Sequence, residues 1–133
     1  VTLVDTNVLV DVWTQDPRWA LWSARAIAQA AERGPLGINP IIYAELSVGF
    51  EQEAALEAVL GGAGIRRLAL PFRAASPAAQ AFSAYRRRGG SRAAPLPDFF
   101  IGAHALVEDL PLLTRDPARY RAYFPGLRLI APR

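Results

Sequence analysis

The chain has no cysteine and a single histidine, and all 15 of its cationic side chains are arginine, so lysine is missing as well. Each absence removes a class of chemistry. Without cysteine there is no disulfide framework, no thiolate nucleophile and no cysteine-based zinc site, and a cytoplasmic location is the simplest expectation. Without lysine there is no Walker A lysine, no Schiff base and no kinase-type phosphate-binding lysine. One histidine, His104, rules out multi-histidine metal sites. No apolar run reaches the roughly 18–20 residues that span a bilayer, so no membrane partner is expected. The start, Val1-Thr2-Leu3-Val4-Asp5, lacks a basic n-region and a long apolar stretch, and no secretory leader is expected.

What is present fits one domain over residues 1–133. A hydrophobic content of 52% in 133 residues supports a modest core and argues against disorder. GC-rich coding, with the abundant Ala, Gly and Pro, accounts for the arginine bias; arginine also suits bidentate phosphate recognition. A formal charge of +3 permits an acidic partner such as nucleic acid without demanding one.

Apolar runs and punctuation predict alternating strands and helices. Val1-Thr-Leu-Val reads as a buried strand ending at Asp5, and Thr6 or Asn7 opens a helix reaching Thr14. Asp16-Pro17 caps a helix over 18–33, which Gly34-Pro35 stops. A strand at Leu36-Gly-Ile38 leads to Asn39-Pro40, which opens the helix carrying Glu45. A helix over 51–60 is expected to close at Gly61-Gly62, followed by a third strand over 65–70. Further helices are expected from Ser76-Pro77 to Arg88 and from Asp98 to Glu108, with a strand over 111–114. Asp116-Pro117 starts a short helix, and residues 127–130 form a last strand. Such alternation predicts a three-layer α/β/α sandwich around a parallel sheet of four to five strands.

Four carboxylates stand where strands end or helices open: Asp5, Glu45, Asp98 and Asp116. The carboxyl ends of parallel strands share a crevice, so acids distant in sequence can meet there. Such a cluster repels itself unless a cation or shared protons hold it together, which points to a divalent-metal site and phosphate-ester chemistry. Each acid alone also has a structural explanation. Asp5 and Asp116 read as helix caps, Asp98 suits the positive end of a helix, and Glu45 suits a helix edge. Thr114 can place a hydroxyl beside Asp5. Asn7 can donate to a carboxylate or a bound water, or cap a helix. Asp11, Asp16, Glu51, Glu53, Glu57, Glu108 and Asp109 read as solvated.

His104, six residues beyond Asp98, falls on another helical face and reads as a packed histidine. Trp13, Trp19 and Trp22 suit a packing or oligomer face better than a base-stacking platform. Arg86, Arg87, Arg88 and Arg92 flank Gly89-Gly90. They are either a solvated helix end or contacts for an RNA backbone at the rim of the acidic site.

In order and spacing, these pieces resemble the PIN-domain family, specifically the toxin ribonucleases of VapBC toxin–antitoxin systems. The resemblance rests on Leu-Val-Asp5-Thr-Asn-Val-Leu-Val-Asp, Tyr-Ala-Glu45-Leu-Ser-Val-Gly, and Arg88-Gly-Gly before Leu-Pro-Asp98-Phe-Phe-Ile-Gly-Ala-His-Ala. Leu-Leu-Thr-Arg-Asp116 and the tail from Arg119 to Pro132 continue it, so it spans essentially the whole chain. It implies that Asp5, Glu45, Asp98 and Asp116 are the metal-binding quartet, with Asn7 and Thr114 in support. It also implies an Mg²⁺- or Mn²⁺-dependent endoribonuclease, a homodimer, and a cognate VapB-type antitoxin that blocks the site. The alternatives are a PIN-like RNA-binding module that no longer turns over, or an Mg²⁺ phosphohydrolase of the haloacid-dehalogenase type. The latter normally has Asp-x-Asp and a later lysine, where this chain has Asp5-Thr-Asn7 and no lysine.

Overall fold

Leu3 and Val4, both 0% exposed, form the centre of strand β1 (Thr2–Val4) in a computed structural model that describes residues 1–90 and 96–133. Helices α1 (Thr6–Trp13) and α2 (Ala20–Arg33) lead to β2 (Leu36–Ile38). Then α3 (Pro40–Ser47) and α4 (Glu53–Ala63) lead to β3 (Arg66–Arg67). A 3-10 turn at Phe72–Ala74, α5 (Ala75–Arg87) and α6 (Leu96–Val107) precede β4 (Leu112–Leu113). Finally α7 (Ala118–Tyr123) connects to β5 (Leu129–Ile130).

All strands are parallel, in the order β3-β2-β1-β4-β5. Leu3 lies beside Gly37 on one side and Leu112 on the other, and Val4 lies beside Leu113. The chain builds outward from β1 to β3, then returns past β1 to β4. With the right hand usual for such crossovers, these two directions carry the connecting helices to opposite faces of the sheet, in keeping with the expected three layers. The order reverses between β1 and β4, and in open α/β sheets the crevice at such a reversal is where ligands bind.

Burial on both faces explains why β1 and β4 present Leu3, Val4, Leu112 and Leu113, all 0% exposed. On the α6 side the core centres on Phe99, 0% exposed, whose ring lies 5.5–6.3 Å from those of Phe82, Tyr85, Tyr123 and Phe124. Burying such a side chain is worth about 1.5–3 kcal/mol. Gly102 is required by this packing, because a Cβ there would stand 2.6 Å from the Phe124 ring.

Several boundaries moved from their predicted places. Asp16 accepts from the backbone N–H groups of Arg18 and Trp19, each at 2.9 Å, but it organises a turn and α2 begins at Ala20. Gly61 and Gly62 lie inside α4, which ends at Gly64 with φ of +67°, where glycine is favoured. The third strand shrinks to two exposed arginines because it pairs on one side only, with β2.

His104 is packed, as expected. It is 1% exposed and its Nδ1 lies 3.0 Å from Asn39 Nδ2. Asn39 Oδ1 already accepts from Ile42 N–H, so Nδ2 donates and Nδ1 is the acceptor. Burial lowers the His104 pKa. Trp13 meets Phe50 edge-on and Trp19 meets Trp22 likewise, so these rings take part in packing. Among the described residues, no helix is long and apolar enough to cross a membrane.

Candidate active site

Strand β1 delivers Asp5, and β4 delivers Thr114, to the crevice between them. Asp5 is 4% exposed and caps α1, its Oδ1 accepting from Thr6 N–H at 2.8 Å. Its Oδ2 accepts from Thr114 Oγ1 at 2.9 Å, Tyr120 OH at 3.0 Å and Asn7 Nδ2 at 3.3 Å. Oδ1 thus serves the cap expected of Asp5, while Oδ2 takes the three side-chain donors. Asn7 acts as a donor to the carboxylate, and its Oδ1 accepts from Arg115 N–H at 3.3 Å.

The other acids reach the same place from different elements. Glu45, on α3, accepts from Thr6 Oγ1 at 2.6 Å. Asp98, in the first turn of α6, accepts from Arg119 Nη1 at 2.6 Å. Asp116 precedes α7 without capping it. Its side chain is 69% exposed and stands 3.3 Å from Arg115 Nη1. All four line one cleft of about 680 Å³, with Thr6, Asn7, Arg115, Arg119 and Tyr120.

The acids feel one another. Burial first, and then the like charge of Asp98, push the Asp5 carboxyl up to about 7 against the lowering by Thr114, Tyr120 and Thr6. Burial also raises Glu45, with Asp98 adding to it against Thr6. Asp98 is raised by burial and by Asp116, while Arg119 pulls it down. Burial and Asp5 push the Tyr120 hydroxyl well above its usual range, so it stays a donor.

The donor set, carboxylate oxygens with no sulfur and no imidazole, suits a hard divalent cation. As the side chains stand, no three His, Cys, Asp or Glu among the described residues are close enough to hold a metal ion. Arg119 takes the cationic place at Asp98, and Asp116 turns toward Arg115.

Sequence reading missed Thr6, Tyr120, Arg115 and Arg119. Their signal lay in position: Thr6 follows the first acid, and the others frame the entry to a helix that starts at the same sheet edge. One expectation is corrected outright. Asp11 is not solvated: it is 2% exposed, because Arg115 Nε at 2.7 Å and Ser23 Oγ at 3.0 Å satisfy its Oδ2 inside the fold. Arg86, Arg87 and Arg88 are exposed at the end of α5, with Arg88 lying 5.1 Å from the Tyr123 ring centroid. Arg92 lies outside the described residues.

Residues 2–125 match the family model described as PIN domain. The chain belongs to the PIN domain family. Comparison with curated protein sequences gives no match. Among solved structures, this PIN domain is similar to VapBC2 from Rickettsia felis bound to a promoter DNA fragment, at 17% identity and a TM-score of 0.75, covering 99% of this chain and 98% of that one. It is also similar to a toxin–antitoxin complex from Klebsiella pneumoniae, at 25% identity and a TM-score of 0.68, covering 100% and 98%. DNA-bound VapBC from Salmonella typhimurium matches at 23% identity and a TM-score of 0.70, covering 98% and 96%.

Proposed function

We propose that this PIN domain is the toxin of a type II toxin–antitoxin pair, a VapC-type endoribonuclease that depends on Mg²⁺ or Mn²⁺. One observation carries the reading: Asp5, Glu45, Asp98 and Asp116, from four separate segments, converge on one cleft at the reversal point of the sheet. The toxin–antitoxin complexes among its structural neighbours support a VapB-type antitoxin as partner; a homodimer is part of the same proposal. A cytoplasmic location follows from that role.

Asp5, Asp98 and Asp116 would hold the cation directly or through water, and Glu45 would complete the site or orient the attacking water. A divalent ion bound there supplies a nucleophile at neutral pH and charge neutralisation at the scissile phosphate. The chain's own contribution is positional. Thr114, Tyr120 and Asn7 fix Asp5, and Thr6 fixes Glu45. His104 is buried against Asn39 and does not line the cleft, so it is not the base.

The pairing of Asp98 and Asp116 with arginines suits one alternative, a catalytically silent RNA-binding module. Total RNA incubated with antitoxin-free protein and Mg²⁺ or Mn²⁺, with and without chelator, separates the two. Cleavage that needs the metal and disappears in Asp5→Asn is the expected result. Cleavage surviving chelator or the substitution defeats the metal mechanism, and RNA left intact under every condition supports the silent module.

A further inference from the structure

Asp11 is buried more deeply than Asp5, at 2% against 4% exposed, yet it does not line the cleft. A carboxylate that deep is unfavourable unless paired and hydrogen-bonded. Its partners are Ser23 Oγ and the inner nitrogen of Arg115, Nε. This choice of nitrogen matters, because bonding Nε leaves the two terminal nitrogens further out. Nη1 reaches the exposed Asp116 at 3.3 Å, the guanidinium carbon lies 5.7 Å from the Trp19 ring centroid, and the side chain is 25% exposed in the cleft wall. Arg119, the cleft's neighbouring arginine, differs: its Nη1 goes straight to Asp98 at 2.6 Å.

We propose that Arg115 binds a backbone phosphate of the RNA substrate, held ready for it by the positioning residues Asp11 and Ser23. The inference rests on the RNA-cleaving reading of the same cleft. A cleft lined by four acids repels a phosphodiester, and a fixed guanidinium in its wall offsets that repulsion. Arginine's planar fork matches two phosphate oxygens, and a side chain already held at Nε and against an indole has little freedom left to lose on binding. The Asp11 carboxylate fixes the guanidinium from behind without facing the substrate.

The test is binding of a single-stranded RNA oligonucleotide in EDTA, at several salt concentrations, with thermal melts to confirm folding. Arg115→Ala should weaken binding about ten-fold and reduce the slope of log K against log salt by about 0.7, one phosphate contact on a single strand. Arg115→Lys should keep the slope and recover only part of the affinity. Asp11→Asn should weaken binding in the parent but add nothing to Arg115→Ala, since Asp11 acts through Arg115. If Arg115→Ala alone does not fold, the double variant Asp11→Asn/Arg115→Ala, which carries no unpaired buried charge, gives the same reading.

An unchanged salt slope in the folded variant, additive losses, or a parent that does not bind the oligonucleotide overturns the proposal. Cleavage with Mg²⁺ separates it from the reading beneath. A parent that cuts RNA while Arg115→Ala leaves kcat/KM and slope untouched removes the phosphate site and keeps the nuclease. A parent that cuts nothing but loses slope in Arg115→Ala keeps the phosphate site and removes the nuclease.

Discussion

The floor and the rim of the cleft hold their acids by different means. At the floor, Asp5 takes its hydrogen bonds from neutral donors, Thr6 N–H, Thr114, Tyr120 and Asn7. At the rim, Asp98 and Asp116 sit against arginines, and Asp116 is mostly exposed. Neutral donors fix geometry without cancelling charge, so burial still drives Asp5 up to about 7. Arginines cancel charge but hang on long flexible stems. The unmet demand for a cation therefore lies at the floor, and the substitutes for it lie at the rim.

Breaking the floor should have the largest effect. Asp5→Asn should lower RNA cleavage by on the order of a thousand-fold, the scale of losing a main source of charge stabilisation. The same substitution should change stability with a definite sign. The folded Asp5 pKa, about 7, exceeds the unfolded 3.8, so the folded state holds the extra proton between those values. Stability then falls as pH rises from about 4 to 7, by on the order of 4 kcal/mol, and is flat above. Thermal unfolding in chelator should show this fall in the parent and a much shallower one in Asp5→Asn, where only the raised Glu45 and Asp98 carboxyls remain. Mg²⁺ added at pH 8 should raise the parent's Tm and leave the variant's unchanged; equal slopes, or equal responses to Mg²⁺, would show that Asp5 is not the uncompensated charge.

Removing the floor's neutral donors should rank next. Thr114→Val and Tyr120→Phe each delete one buried bond to Asp5 Oδ2, costing about 1–3 kcal/mol of stability. Loss of orientation at a ligand costs roughly 10–100-fold in metal affinity or activity. Magnesium titration of single-turnover cleavage should show both variants needing more metal. A normal titration in either would mean that backbone position alone orients Asp5.

Asp5 and Thr114, at the floor, were readable in the sequence for the same reason that they are rigid, whereas the floor donors Thr6 and Tyr120 were not. Asp5 and Thr114 follow short apolar runs whose burial fixes where those strands end, and the reversal point then brings the ends together. Asn39-Pro40 announced α3 and hence the height of Glu45 on its helix. The rim was less readable because its contacts are made by side-chain ends. No local pattern says that Arg119 reaches Asp98 across 21 residues, or that Arg115 turns back to Asp11 across 104. Asp11 looked solvated because its helix position says nothing about a partner so distant in sequence.

Arg119→Ala should have the smallest effect on stability and sharpens the comparison most. Arg119 and Asp98 are 36% and 27% exposed, so their pairing sits in the range of partly solvated ion pairs, at most about 1 kcal/mol. The Arg119 guanidinium also lies 5.5 Å from the Tyr85 ring centroid, a second weak hold that leaves it displaceable. A cation approaching Asp98 must compete with it. Arg119→Ala should therefore leave the melting temperature within a few degrees of the parent, while lowering the Mg²⁺ concentration that gives half-maximal thermal stabilisation. The opposite shift, with more Mg²⁺ needed, would mean that Arg119 holds Asp98 in place for the metal, and the rim would then work like the floor.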